Sequence, residues 1–172
     1  MNEASDIIDL VASVARTIPG EFSFDGDRHG RVTAWITLQN STDLVAAARA
    51  LKAIGARLSM ITALAGQPEG INTIAYHFDI DGSTVTLKVG VEPGGSVETI
   101  VPLYRNADWH EREFMELYDL HVSGRADSRR LFLDETVDRR VMQRLIPLSV
   151  LSNAASTTML FEKLIVDREK SR

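Results

Sequence analysis

The chain has 172 residues, 44% of them hydrophobic and 25% charged, with no cysteine and a formal net charge of −5. That length and composition fit one core-forming soluble domain followed by a tail. The lack of cysteine excludes disulfides, thiol catalysis, thiolate-ligated zinc and cysteine-ligated iron–sulfur clusters, and the acidic balance argues against nucleic acid or an anionic membrane as a partner.

The N-terminus, MNEASDIIDL, carries an early acidic residue and no positive region leading into an apolar run, so it does not read as a secretory signal. No stretch has the uninterrupted apolar length needed to span a bilayer. From Ser5 to Ile18, Ile7, Val11, Val14 and Ile18 repeat at helical spacing, with Ser5 as cap and Pro19-Gly20 as the stop. EFSF and RVTAWITL follow, separated by the turn-rich DGDRHG. In the second, Val32, Ala34, Ile36 and Leu38 alternate with Thr33, Trp35 and Thr37, the pattern of a half-buried strand. A second helix is predicted from Asp43 to Ile54, capped by Ser41 or Thr42, with Leu44, Ala48 and Leu51 on one face and Gly55 just past its end. RLSMITALA is apolar enough for a central strand. INTIAYHFDI joins STVTLKVGV through Asp81-Gly82, a two-residue turn that favours positive φ. The order α-β-β-α-β-β-β predicts an α+β fold, a two-layer α/β sandwich with helices on one face of a mixed sheet.

EPGGS, Glu92 to Ser96, punctuates the chain, and the segment through Pro102 returns as extended structure. Asp108 and Glu111 then stand three apart, a capping-box spacing at the start of a motif helix. From Asp108 to Asp134 charge is unusually dense. The helix carries Glu111, Arg112, Glu113 and Glu116, and a glycine-containing loop carries Asp127 and the pair Arg129, Arg130. Blocks of opposite charge of this kind suit a docking surface. After Asp134 the pattern weakens into an extended C-terminal tail with Leu145, Ile146, Leu148, Val150 and Leu151, then a helix around Met159, Leu160, Leu164 and Ile165. The expected division is an α/β domain over 1–134 and a partner-wrapping tail over 135–172. There is no internal repeat or low-complexity segment.

Trp109, Glu111, Arg112, Glu113, Glu116, Tyr118, Gly124, Asp127 and the run Arg129-Arg130-Leu131, approached through VPLYRNA, resemble the signature of the 30 kDa subunit family of respiratory complex I. That family includes the homologous subunits of membrane-bound, energy-converting nickel–iron hydrogenases and formate hydrogenlyases. The resemblance implies the same two-layer fold and a peripheral, cytoplasmic subunit with no chemistry of its own. Its partners would be a large hydrogenase-like or quinone-site subunit and a neighbouring iron–sulfur subunit. A nickel–iron centre, iron–sulfur clusters or quinone would sit in those partners, with no cofactor in this chain and membrane contact only through them. The residues implied at the subunit interface are Trp109, Glu111, Arg112, Glu113, Glu116, Tyr118, Asp127, Arg129 and Arg130. Complex I members commonly carry aspartate at the position of Glu116, glycine at Asp119, a histidine-proline pair at Arg125 and Ala126, and a basic proline-containing tail. These departures point toward the hydrogenase or formate hydrogenlyase branch and away from a quinone-linked NADH dehydrogenase.

On charge pattern alone, Glu111 to Glu116 is a solvated helical face with an Arg112–Glu116 pair worth a few tenths of a kcal/mol. With the resemblance, an interface or interior ion network is preferred. By residue type Trp109 and Tyr118 are packing residues, while arginine's planar fork suits Arg129 and Arg130 to carboxylate docking. His29, His77, His110 and His121 show no metal-ligand spacing and read as structural. Asp25, Asp27, Asp79 and Asp81 sit where turns need them, without a calcium-loop pattern. No nucleophile elbow, P-loop or dinucleotide fingerprint occurs, and Glu111 and Glu113, two apart, point to different sides of a helix. A stand-alone interaction module reusing the fold is the second reading. A small hydrolase lacks an activated nucleophile.

Overall fold

The computed structural model describes residues 3–27, 31–66, 70–118, 120–127 and 129–136, with side chains from Asp6 onward. His29, the apolar tail beyond Thr136 and its expected helix lie outside the described residues. Helix α1 (Glu3–Ala15) leads into strands β1 (Gly20–Gly26) and β2 (Val32–Leu38), then helix α2 (Leu44–Ala53). Strands β3 (Arg57–Leu64), β4 (Asn72–Ile80) and β5 (Ser83–Val91) follow, and then the short strand β6 (Ser96–Glu98), helix α3 (Ala107–Leu117) and the short strand β7 (His121–Ser123).

The main sheet runs β1-β2-β5-β4-β3. It is mixed, with β2 and β5 parallel and the other neighbours antiparallel. Register follows the alternation of side chains. Ile36 pairs with Leu87, Leu87 with Tyr76, and Tyr76 with Ile61, so one apolar row crosses four strands on a single face. That row is buried in one cluster with Val11 and Val14 of α1 and Leu44, Ala47, Ala48 and Leu51 of α2. Each fully buried leucine contributes about 1.5–3 kcal/mol, so the α+β two-layer arrangement follows from hiding both helical stripes on one sheet face. The other face carries Thr33, Thr37 and Thr84 exposed to solvent. On it His77 bridges strands, its ring nitrogens 3.0 Å from the hydroxyls of Thr62 and Thr86. Burial, and then the charge of Lys88, lower the His77 pKa.

Several local expectations need correction. RLSMITALA forms β3 at the edge of the sheet, not its centre. Its apolar content is split between faces, with Leu58 and Ile61 buried while Met60 and Leu64 are 45% and 64% exposed, and a register shift falls between Leu58 and Met60. Helix α1 begins at Glu3, before the serine expected to cap it. Ser41–Asp43 wind into a 3-10 turn, which leaves Asp43 at the N-cap of α2 with no side-chain cap bond. The capping box at Asp108 and Glu111 does not form either, since Asn106 is the N-cap of α3 and Asp108 lies in its first turn. By contrast, Asp81 (φ 48) and Gly82 (φ 78) make the predicted tight turn between β4 and β5.

The path from β6 to α3 is tied to the back of the domain. The Tyr104 hydroxyl donates to the carbonyl of Ala56 at 3.1 Å, Asn106 Nδ2 donates to Leu58 O at 2.9 Å, and Lys52 Nζ donates to Leu103 O. Burial pushes the Tyr104 pKa up to about 12. These bonds seat α3 beside the β3 edge. Among the described residues no helix is long and apolar enough to cross a membrane.

Candidate functional site

Helix α3 uses its carboxylates on its own chain. Ala107, Glu111 and Phe114 recur at helical spacing and face inward. Two of these are apolar, and the third is a carboxylate with 0% exposure. A buried carboxylate needs compensation, and Glu111 receives it from three directions. Its Oε1 accepts the Ile100 N–H at 2.8 Å, and its Oε2 accepts the Thr99 hydroxyl and Arg125 Nη1, each at 2.7 Å. The Tyr76 hydroxyl lies in the same interior without a hydrogen-bond partner among the described residues. Burial, and then the charge of Glu111, raise its pKa.

Arg125 completes the brace. Its side chain is only 3% exposed, and its second terminal nitrogen meets Asp108 Oδ1 at 2.6 Å. Its Nε donates to the carbonyl of Asp127 at 2.8 Å. One guanidinium fork therefore joins the first turn of α3, the buried Glu111 and the loop backbone, which lysine's single ammonium could not do. Local structure aims it there. Strands β6 and β7 pair in parallel, with Val97 beside Val122, and Gly124 turns the chain at φ 77, a conformation that costs a residue with a Cβ.

One turn further along α3, Arg112 and Glu116 stand four apart, yet they do not pair with each other. Arg112 Nε and Nη2 donate to the carbonyls of Arg129 and Arg130 at 2.9 and 2.5 Å. Glu116, 3% exposed, accepts the backbone N–H groups of Leu131, Phe132 and Leu133, each at 2.9 Å. The cation takes peptide oxygens and the anion takes peptide N–H groups, so five consecutive residues are laid along the helix.

The remaining predicted residues lie farther out. Trp109, expected to pack, is 69% exposed, one turn ahead of Arg112 on the same helical stripe. Glu113 sits 3.8 Å from His110 at a cleft of about 250 Å³ between α3 and β3, whose wall also includes Met60, Phe114 and Tyr118. Tyr118 is half-buried against the core. Asp127 accepts Arg129 Nη2 at 2.7 Å and Nε at 2.9 Å, which holds its carboxyl well below the usual range, while Arg129 itself is 79% exposed. Arg130 donates to Asp134 O at 2.9 Å and stands 3.6 Å from Glu135.

Asp108, Thr99 and Arg125 belong to this site although sequence reasoning assigned them no part in it. Arg125 was visible only as a departure from a histidine, Asp108 only as half of a capping spacing, and Thr99 carried no signal. Their roles exist only once β6, α3 and the loop meet. Chemically the arrangement braces. Glu111 and Glu116 are engaged by their own chain and hidden from solvent, so neither is offered to a substrate. Among the described residues no three histidine or carboxylate groups are placed to hold a metal ion.

The family described as "Respiratory-chain NADH dehydrogenase, 30 Kd subunit" matches residues 38–150. An NADH-quinone oxidoreductase subunit of Rhodobacter capsulatus is 27% identical over 132 residues, covering 73% of this chain and 65% of that protein. The corresponding subunit of Rhodopseudomonas palustris strain TIE-1 is 32% identical over 78 residues, 44% of this chain and 38% of its own length. Another NADH-quinone oxidoreductase subunit, from Rhodopseudomonas palustris strain BisA53, is 39% identical over 71 residues, 40% of this chain and 12% of that protein. The match thus spans less than two thirds of each of these curated relatives. A chain of the membrane-bound sulfane sulfur reductase, an archaeal respiratory membrane complex, superposes with a TM-score of 0.68 at 15% identity, covering 88% of this chain and 93% of that one. At that identity the likeness is one of fold.

Proposed function

Since the chain belongs to the respiratory-chain NADH dehydrogenase 30 Kd subunit family, we propose that it is a non-catalytic peripheral subunit of a membrane-bound redox complex, docked on that complex's large subunit. The observation that carries this reading is α3 with its pinned loop. The family's charged signature is spent on fixing a surface, and no reacting centre is built around it. The partners are a large hydrogenase-like or quinone-site subunit and a neighbouring iron–sulfur subunit. Electron carriers reside in those chains, and this one sits at the cytoplasmic face of the membrane through them.

Within the family, the energy-converting nickel–iron hydrogenase or formate hydrogenlyase type is the branch we favour. Support comes from Glu116, Arg125 and Ala126, where complex I members commonly carry aspartate, histidine and proline. Arg125 is no neutral replacement, because its fork sets the geometry of the brace. The second reading, a component of respiratory NADH-quinone oxidoreductase, is favoured by the names of the relatives. Gentle purification of the tagged chain from its native source, with identification of bound chains and assay of nickel and iron, separates them. A large subunit with nickel is expected, the same subunit without nickel selects the quinone branch, and a chain that purifies alone defeats both.

A further inference from the structure

Leu131 and Leu133 are half-buried, whereas Phe132 between them is 56% exposed. The alternation is that of an extended segment, and a slip of one residue would turn the phenyl ring inward and both leucines outward. What prevents the slip is Glu116, whose two oxygens hold the three successive N–H groups, backed by Arg112 on the two preceding carbonyls. The guanidinium of Arg129, three residues ahead of the ring, is likewise held by bonds to Asp127 inside the chain while remaining largely exposed. An apolar group and a cation are therefore presented with their backbone already ordered, which removes much of the ordering cost of a contact.

We propose that Glu116 is a positioning residue for docking. Without touching the partner, it fixes the register of Leu131–Leu133 so that Phe132 stands out as an apolar anchor beside Arg129. The surface it fits is an apolar pocket on the large subunit with a carboxylate at its rim, matching the exposed guanidinium in charge. This inference rests on the docking function proposed above and names the contact.

The test compares Glu116→Gln and Phe132→Ala with the wild type, each as the tagged full chain in its native source, reading the large subunit recovered per chain. Hydrogen exchange of the three amides is measured on the isolated full chain. Glutamine keeps the shape but turns an NH2 toward N–H donors, so exchange should quicken about tenfold or more, and recovery should fall about as far. Phe132→Ala should cut recovery about tenfold with amide exchange unchanged, because only the ring is lost. Wild-type recovery in either variant overturns the inference while leaving the docking function intact. If Glu116→Gln fails to fold, Phe132→Ala decides alone. A wild-type chain that recovers no large subunit overturns the docking function and this inference with it.

Discussion

Leu51 of α2 and Glu111 of α3 are equally hidden, each at 0% exposure, but opposite physics keeps them there. Leu51 is buried because water is a poor solvent for it, and its partners are interchangeable apolar atoms. Glu111 stays buried only because Thr99, Ile100 and Arg125 are correctly placed, and each is needed. The sheet with α1 and α2 is thus a tolerant region, while α3 with its loop is an exacting one.

Substitutions can break this contrast, and the largest effect is expected at the brace. Arg125→Met should cost about 3–5 kcal/mol in chemical denaturation, because it strands Glu111 and leaves Asp108 without its partner. A loss near zero would mean that the brace does not form. Leu51→Ala should cost about 2–5 kcal/mol from lost burial and a residual cavity, whereas Leu51→Met should stay below about 1.5 kcal/mol because apolar volume is nearly conserved. No comparably mild exchange is expected at Glu111. Gly82→Ala should cost about 1 kcal/mol through its positive φ alone, as no atom lies near an added Cβ.

The smallest effect is pH-dependent and belongs to the outer sheet face. The folded-state pKa of His77 is lowered, so as pH falls through the ordinary histidine range the unfolded chain takes up the proton first. Stability present above that range is then lost on acidification. Denaturation midpoints measured across those pH values should fall for the wild type and more shallowly for His77→Gln.

The same contrast explains what the sequence could reveal. Alternation in β2 and the Asp81-Gly82 turn are local signals, so the strand and the hairpin between β4 and β5 were legible. The edge position of β3 was not, since hydrophobicity summed along RLSMITALA hides which residues face which side. At α3 the helix and the importance of its charges could be read, but the partners could not. Asp108 and Glu111 carry capping-box spacing and instead converge on Arg125, and Arg112 and Glu116 carry ion-pair spacing and instead grip the backbone of residues 129–133. Spacing identifies which side chains share a face, while the group that arrives opposite them is set by β6, β7 and Gly124.

The most direct test of a loop pinned by its own helix is amide hydrogen exchange at Leu131, Phe132 and Leu133 in the wild-type full chain, without any partner. Strong protection is expected at all three, matching the amides held by the Glu116 carboxylate. Exchange at the rate of an unstructured peptide would contradict the pinning, because the loop would then be ordered by something other than α3.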